Sequence, residues 1–100
     1  MEPDMQMLQE MQREMQRIQD QLGETLVIGT AGNGLVTVRM TALKEMRGVT
    51  IKPEAIDASD ATLLEDLVVA AVNDALAKAD ATARSQLGGL MGGLGLPGMA

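Results

Sequence analysis

The chain has 100 residues and a formal net charge of −6, and it contains no cysteine, no histidine and no aromatic residue. These absences exclude disulfides and thiol chemistry and leave catalysis to carboxylate, lysine and hydroxyl side chains, so we expect no enzyme. We find no signal-peptide pattern and no apolar run of about 18 residues, so we expect one small soluble cytoplasmic domain without membrane contact.

The charge is uneven along the chain. Residues 1–53 carry six basic and seven acidic groups, whereas residues 54–100 carry two basic and seven acidic groups. Within residues 35–53 the balance reverses, with four basic groups and one acidic group. This pattern predicts a basic patch on an acidic protein. The total charge alone disfavours nucleic-acid binding, which depends on Lys and Arg neutralising phosphates.

The first predicted element is a helix whose apolar residues repeat in steps of three and four. This heptad seam comprises Leu8, Met11, Met15, Ile18 and Leu22. We expect the seam to pack on its own domain or on a partner's matching helix, since two heptads are short for an independent coiled coil. Arg13 and Arg17 lie one turn apart on the outward side of this helix.

From residue 24 to residue 53 the apolar period changes to two, which predicts three strands of an antiparallel sheet. Asn33 and Gly34 lie between the first two strands and predict a tight hairpin turn with positive φ angles. The glycine spacing here fits neither a dinucleotide-binding loop nor a phosphate-binding P-loop. The second connection, near residues 43–45, has a less clear turn signal. Pro53 ends the third strand because proline has no backbone N–H to donate to a neighbouring strand.

A long helix is predicted to follow and to run to Ser85 or Leu87. Asp57, Ser59 and Asp60 have good N-cap side chains, and Thr62 with Glu65 fits a capping box. Capping and the helix dipole explain the acidic residues at positions 57, 60, 65 and 66, so we expect no metal site and no cofactor there.

The apolar face of this long helix is broad. Val69 and Ala70 make the turn between Leu67 and Val72 apolar nearly all round. Such a helix needs cover on two sides, and a core without aromatic residues has little area to supply both. We therefore predict a homodimer whose interface includes Leu67, Val68, Ala71 and Val72.

The last segment, residues 88–100, contains six glycines and a proline. This composition disfavours a helix and predicts a flexible tail. Docking of its leucines and methionines in a groove is the alternative.

Five segments in chain order resemble the YbaB/EbfC family of bacterial nucleoid-associated proteins. They are LQEMQREMQRIQDQL (8–22), TAGNGLVTV (30–38), VTIKPEAID (49–57), LEDLVVAAVNDALAKA (64–79) and GGLGLPG (92–98). The resemblance implies one α+β domain over residues 1–87, in the order helix, three-stranded antiparallel sheet, long helix (α-β-β-β-α), followed by the tail. It also implies a cytoplasmic, nucleoid-associated homodimer that binds double-stranded DNA through projecting helices and acts in nucleoid organisation, gene expression or repair.

Two functions remain open from the sequence, and neither involves a small-molecule substrate. In the first, the dimer binds DNA through phosphate contacts, which carry little sequence information. The cations predicted for these contacts are Arg13, Arg17, Lys78 and Arg84 on the helices, and Arg39, Lys44, Arg47 and Lys52 as a secondary patch. In the second, the acidic dimer is a protein-interaction or assembly factor that does not bind DNA and uses its Met/Leu seam and apolar tail.

The first helix departs from the family pattern. Similar proteins commonly carry several lysines there, whereas this helix has only Arg13 and Arg17 beside acidic residues.

Overall fold

The computed structural model describes residues 5–93, with side chains as far as residue 89. Its elements are helix α1 (Met5–Glu24), strands β1 (Leu26–Ala31), β2 (Val36–Thr41) and β3 (Met46–Ile51), a 3₁₀ turn (Pro53–Ala55) and helix α2 (Ala61–Gly93). The strands form one antiparallel sheet in the order β1-β2-β3. The predicted α-β-β-β-α order is therefore confirmed. Neither described helix combines the length and the apolar content that crossing a bilayer requires.

The β1–β2 hairpin has the backbone geometry that the Asn-Gly pair predicts. Gly32, Asn33 and Gly34 have positive φ angles of 62°, 56° and 87°. The Leu35 amide donates to the Gly32 carbonyl oxygen at 3.2 Å and closes the turn. Glycine and asparagine adopt this left-handed conformation at little cost, so the sequence of the turn suits its shape.

The β2–β3 connection turns without glycine or asparagine. Lys44 has a φ angle of 71°, which costs a residue with a side chain about 1–2 kcal/mol. The Thr41 amide donates to the Glu45 carbonyl oxygen at 2.8 Å, and the Glu45 amide donates to the Thr41 hydroxyl at 3.1 Å. These two hydrogen bonds, made by a threonine that is 1 % exposed, hold the turn.

The main core lies between α2 and the sheet. Its fully buried residues alternate along β2 and recur every four residues along α2: Val36, Val38, Met40, Ala71, Ala75 and Ala79. Gly29 of β1 lies directly under α2, where an added Cβ atom would overlap backbone atoms of Ala71 and Ala75. Close approach of small residues therefore gives this core its packing density without any aromatic ring.

A second apolar cluster joins the two helices. Ile18 and Leu22 of α1, which are 5 % and 2 % exposed, are clustered with Ala42, with Ala83 and Leu87 of α2 packed against them. The predicted seam is thus buried on its own domain only in its second half. The first half remains 54 %, 44 % and 39 % exposed at Leu8, Met11 and Met15.

Helix α2 begins one residue before the predicted capping box. The Asp60 carboxylate accepts a hydrogen bond from the Leu63 amide at 3.2 Å, so Asp60 is the N-cap. Thr62 lies inside the helix, which begins at Ala61. The predicted box between Thr62 and Glu65 is therefore wrong. Of the predicted N-cap residues, Asp60 is confirmed, whereas Asp57 accepts hydrogen bonds from the Ser59 amide and hydroxyl and does not cap the helix.

The far end of α2 also differs from the prediction. The helix continues to Gly93 and does not end at Ser85 or Leu87. Each glycine costs a helix about 1 kcal/mol relative to alanine, but a residue added to an existing helix needs no new nucleus. The predicted flexibility of residues 88–100 stays a prediction, and residues 94–100 lie outside the described part.

Candidate nucleic-acid interface

Arg17, one of the two arginines of α1, is paired with a carboxylate on its own helix. It donates to Glu14 one turn earlier, with 3.2 Å between Arg17 Nε and Glu14 Oε2. This hydrogen bond lowers the pKa of Glu14 and raises the pKa of Arg17. Because Glu14 carries an equal negative charge beside the guanidinium, Arg17 offers a phosphate less attraction than an unpaired arginine would.

Lys44 ties the β2–β3 turn to α2. Its Nζ atom lies 2.6 Å from Asp80 Oδ1. The hydrogen bond from Lys44 lowers the pKa of Asp80, and the positive charges of Lys44 and Arg84 lower it further. Lys44 therefore has a partner within its own chain.

Lys78 and Asp74 lie along the outer edge of β1. Lys78 Nζ donates to the Ile28 carbonyl oxygen at 2.8 Å and lies 3.0 Å from Asp74 Oδ2. The same Asp74 oxygen accepts from the Thr30 amide at 2.9 Å. The hydrogen bond from the Thr30 amide, and after it the hydrogen bond from Lys78, lower the pKa of Asp74. We call this arrangement of Asp74 and Lys78 the β1 cap, because it satisfies backbone groups of an edge strand.

Arg39 crosses the sheet face opposite α2 and is engaged with β3. Its Nη1 atom donates to the Thr50 hydroxyl at 2.8 Å. The guanidinium lies over Gly48, where an added Cβ atom would overlap it. Arg39 thus links the central strand to the edge strand.

The other four predicted cations are exposed, and within the described residues they form no ion pair and no side-chain hydrogen bond. These four unpaired cations are Arg13, Arg47, Lys52 and Arg84. They lie on α1, on α2 and at the two ends of β3. The eight predicted cations are therefore distributed over both helices, two strands and a turn and do not form one patch.

The carboxylates are distributed differently from the cations. Strands β1, β2 and β3 contain no acidic residue, and Arg39 and Arg47 are their only charged residues. The acidic side chains of the described residues therefore lie on helices and connections. Nowhere in residues 5–93 do three of them come together as a metal site would require.

The residues predicted for the dimer interface pack largely against their own sheet. Ala71 is fully buried in the single chain and has no surface left for a partner. Leu67, Val68 and Val72 are half-buried and contact the same core. Val69, which was not predicted as an interface residue, is 59 % exposed. The apolar residues of this turn therefore mostly face the sheet. The surface left for a second copy is the exposed part beside them, such as Val69.

Three residues that bind the predicted cations were not predicted as their partners: Asp74, Asp80 and Thr50. Asp74 stands four residues before Lys78, a spacing that signals a helical ion pair, but its bond to Thr30 depends on how α2 crosses the sheet. Thr50, the acceptor for Arg39, gave no signal beyond its place in a strand.

Residues 1–94 match the family model described as the YbaB/EbfC DNA-binding family. A nucleoid-associated protein of Chloroflexus aurantiacus is 47 % identical over 90 residues, which cover 90 % of each chain. Another, from Acetivibrio thermocellus, is 47 % identical over 92 residues, which cover 91 % of this chain and 81 % of that protein. An uncharacterized Helicobacter pylori protein shares the fold with a TM-score of 0.70 at 21 % identity, over 85 % of this chain and 88 % of that one.

Proposed function

Since the chain belongs to the YbaB/EbfC DNA-binding family, we propose that it binds double-stranded DNA as a homodimer with little sequence preference. The match to the family model over residues 1–94 carries this proposal. The relatives named as nucleoid-associated proteins support a place in the nucleoid. Through such binding the protein would act in nucleoid organisation, gene expression or repair.

The number of unpaired cations sets how steeply the proposed DNA binding should depend on salt concentration. A dimer has two copies of Arg13, Arg47, Lys52 and Arg84, whereas Arg17, Lys44 and Lys78 each form an ion pair within their own chain. Of the first four, Arg84 interacts with Asp80 through its charge but does not form an ion pair with it. Each phosphate that a cation neutralises steepens the logarithmic salt dependence of binding by about 0.9. If about half of the unpaired cations contact phosphates, the slope is roughly −2 to −4.

A gel-shift titration of random duplex DNA at two salt concentrations tests the proposal. The informative variant is Arg13→Ala with Arg84→Ala, which removes two unpaired cations per chain. The matched control is Arg17→Ala with Lys44→Ala, which removes the same charge from two paired positions. We expect the first double variant to lose more affinity and to flatten the slope by about 2.

Two results would contradict this assignment. Equal losses in the two double variants would show that pairing with carboxylates does not decide which cations contact DNA. Absence of binding by the parent protein at low salt would overturn DNA binding itself.

A protein-interaction or assembly factor is the second candidate function. The exposed half of the α1 seam, Leu8, Met11 and Met15, favours it, because Met-rich apolar surfaces adapt to protein partners. The net charge of −6 also disfavours DNA. This candidate would replace the first if the parent protein failed to bind duplex DNA.

A further inference from the structure

The exposed first half of the α1 seam borders a groove, which we call the α1 groove. Leu8, Met11 and Met15 are 54 %, 44 % and 39 % exposed, whereas Ile18 and Leu22 in the second half are buried. The groove has a volume of about 570 Å³ and is lined by Leu8, Met11, Gln12, Met15, Gln16 and Gln19. Among residues 5–93, α1 forms one side of this groove and no other element lines it.

Helix α2 runs toward the α1 groove, because it lies antiparallel to the part of the chain that it contacts. The chain just after β1 meets α2 at Leu67, and the early part of β1 meets it at Lys78. The buried half of the α1 seam, which precedes β1, meets α2 still later, at Ala83 and Leu87. Each step back along the chain from β1 into α1 therefore contacts a later part of α2, and the first half of α1 comes next.

The end of α2 lies level with the α1 groove. Gly93 is about 9 Å beyond Leu87 along α2, and Met11 is about 10 Å before Ile18 along α1. Residues 94–100 continue from that point, and seven extended residues span up to roughly 23–25 Å. The exposed half of the seam is shorter, since Leu8 and Met15 are about 10 Å apart along the helix. The segment that follows α2 is therefore long enough to cover the whole groove.

The sequence of residues 94–100, LGLPGMA, suits an apolar groove. It contains two leucines, one methionine and no charged side chain, so no charge would have to be buried. Pro97 disfavours a helical conformation at Leu96 and favours an extended one. An extended backbone needs partners for its N–H and C=O groups. Gln12 and Gln19, whose side chains form no hydrogen bond within residues 5–93, can both donate to and accept from such groups.

We propose that residues 94–100 dock in the α1 groove of their own chain, with their apolar side chains against the exposed half of the seam. The chain's own segment is favoured over a separate molecule, because its attachment to Gly93 holds it beside the groove at an effective concentration on the order of millimolar. In this arrangement the tail is held against the domain, and a protein partner that uses the seam must first displace it. The docking depends neither on DNA binding nor on the homodimer.

Nuclear Overhauser contacts between methyl groups test the docking in the full-length protein. With leucine and methionine methyl groups labelled, we expect contacts from Leu96 and Met99 to Met11 and Met15. Leu63 is the internal control, since it is 51 % exposed and lies in the first turn of α2, far from the groove, and it should show no contact with the tail. Absence of contacts between the tail and the seam would overturn the proposal and leave the seam to a protein partner.

Mixed labelling distinguishes the chain's own tail from the tail of another copy. In a refolded mixture of chains labelled only at leucine with chains labelled only at methionine, contacts between Leu96 and Met11 can arise only between copies. We expect these contacts to be lost in that mixture and to remain when doubly labelled chains are diluted with unlabelled chains. Contacts that persist in the mixture and vanish on dilution would overturn docking within one chain.

A charge placed in the tail tests whether apolar contact holds it. Leu96→Asp should abolish the contacts between Met99 and the seam and shift the methyl signals of Met11 and Met15. Leu63→Asp is the matched control, because it adds the same charge at an exposed leucine outside the groove, and it should leave those contacts and signals unchanged. Methyl signals of Met11 and Met15 that stay in place in Leu96→Asp would show that the tail does not occupy the groove.

Discussion

Strands β1 and β3 are both edge strands, yet within residues 5–93 only β1 has outward backbone groups occupied by a helix. They are the Ile28 carbonyl, bonded by Lys78, and the Thr30 amide, bonded by Asp74. The helix also lies against β1 so closely that Gly29 leaves no room for a side chain. At β3 the helix leaves Met46 and Val49 partly exposed. An uncovered edge is a template for pairing with another chain, so the position of α2 makes β3 the more accessible of the two edges.

The largest effect is expected when alanine replaces Gly29 of β1, and the same substitution at Gly48 of β3 is its matched control. In Gly29→Ala the new Cβ atom meets backbone atoms of Ala71 and Ala75, whereas in Gly48→Ala it meets the mobile end of the Arg39 side chain. We expect Gly29→Ala to lower the free energy of unfolding by about 3 kcal/mol or more. Gly48→Ala should change it by less than about 1 kcal/mol.

Urea denaturation followed by circular dichroism at 222 nm measures both values. Equal destabilisation by the two substitutions would show that α2 does not approach β1 more closely than Arg39 approaches β3.

A smaller effect is expected from the β1 cap as the pH falls. The pKa of Asp74 is lowered in the folded protein from its ordinary value of 3.8, so the folded state binds this proton less readily than the unfolded chain. The contribution of the carboxylate to stability is therefore present above pH 3.8 and is lost as the pH falls through the lowered pKa.

Asp74→Asn isolates this contribution. The parent protein should be more stable than the variant at neutral pH, and the difference should shrink below pH 3.8. The Thr30 amide, which donates to Asp74, should exchange faster in the variant. A stability difference that stays constant down to pH 2 would contradict the proposed role of the charged carboxylate.

The smallest expected effect concerns the turn that leads into β3. Lys44→Gly removes the cost of a left-handed side-chain residue, about 1 kcal/mol, but also removes the exposed ion pair with Asp80, whose contribution is kept small by solvent screening. The net change in unfolding free energy should be within about 1 kcal/mol.

Lys44→Ala separates these two contributions, because it loses the ion pair and keeps the positive φ angle. Thermal unfolding should place Lys44→Gly about 1 kcal/mol above Lys44→Ala in stability. If alanine and glycine are equivalent at this position, the turn carries no strain.

The order of elements could be predicted because periodicity reports burial directly. Apolar residues alternate along β2 at Val36, Val38 and Met40 and recur with helical spacing along α2 at Ala71, Ala75 and Ala79. These are the side chains that the fold removes from water. The contacts between elements carry no such period. Whether Ala71 meets its own sheet or a partner depends on where α2 crosses β1, and that in turn depends on the single missing Cβ atom of Gly29.

The candidate DNA site was less predictable than the fold for a similar reason. Sequence identifies Arg13, Arg17 and Lys78 equally as exposed cations on helices. The structure distinguishes them, because Arg17 is paired with Glu14 and Lys78 belongs to the β1 cap, whereas Arg13 has no ion-pair partner within residues 5–93. The end of α2 was predicted too early. Glycine content indicates the free-energy cost of a helix, but it does not show the stabilisation from Ala83 and Leu87, which pack against α1.

The uncovered first half of α1 has a consequence for how the molecule responds to a partner. Only Ile18 and Leu22 of the described part of this helix are buried, so the turns before them gain little stability from apolar packing. Helices of fewer than about 12–15 residues are marginal in water without tertiary contacts. We therefore expect these turns to open more readily than the sheet, so that ordering them would be part of the free-energy cost of binding any partner through α1.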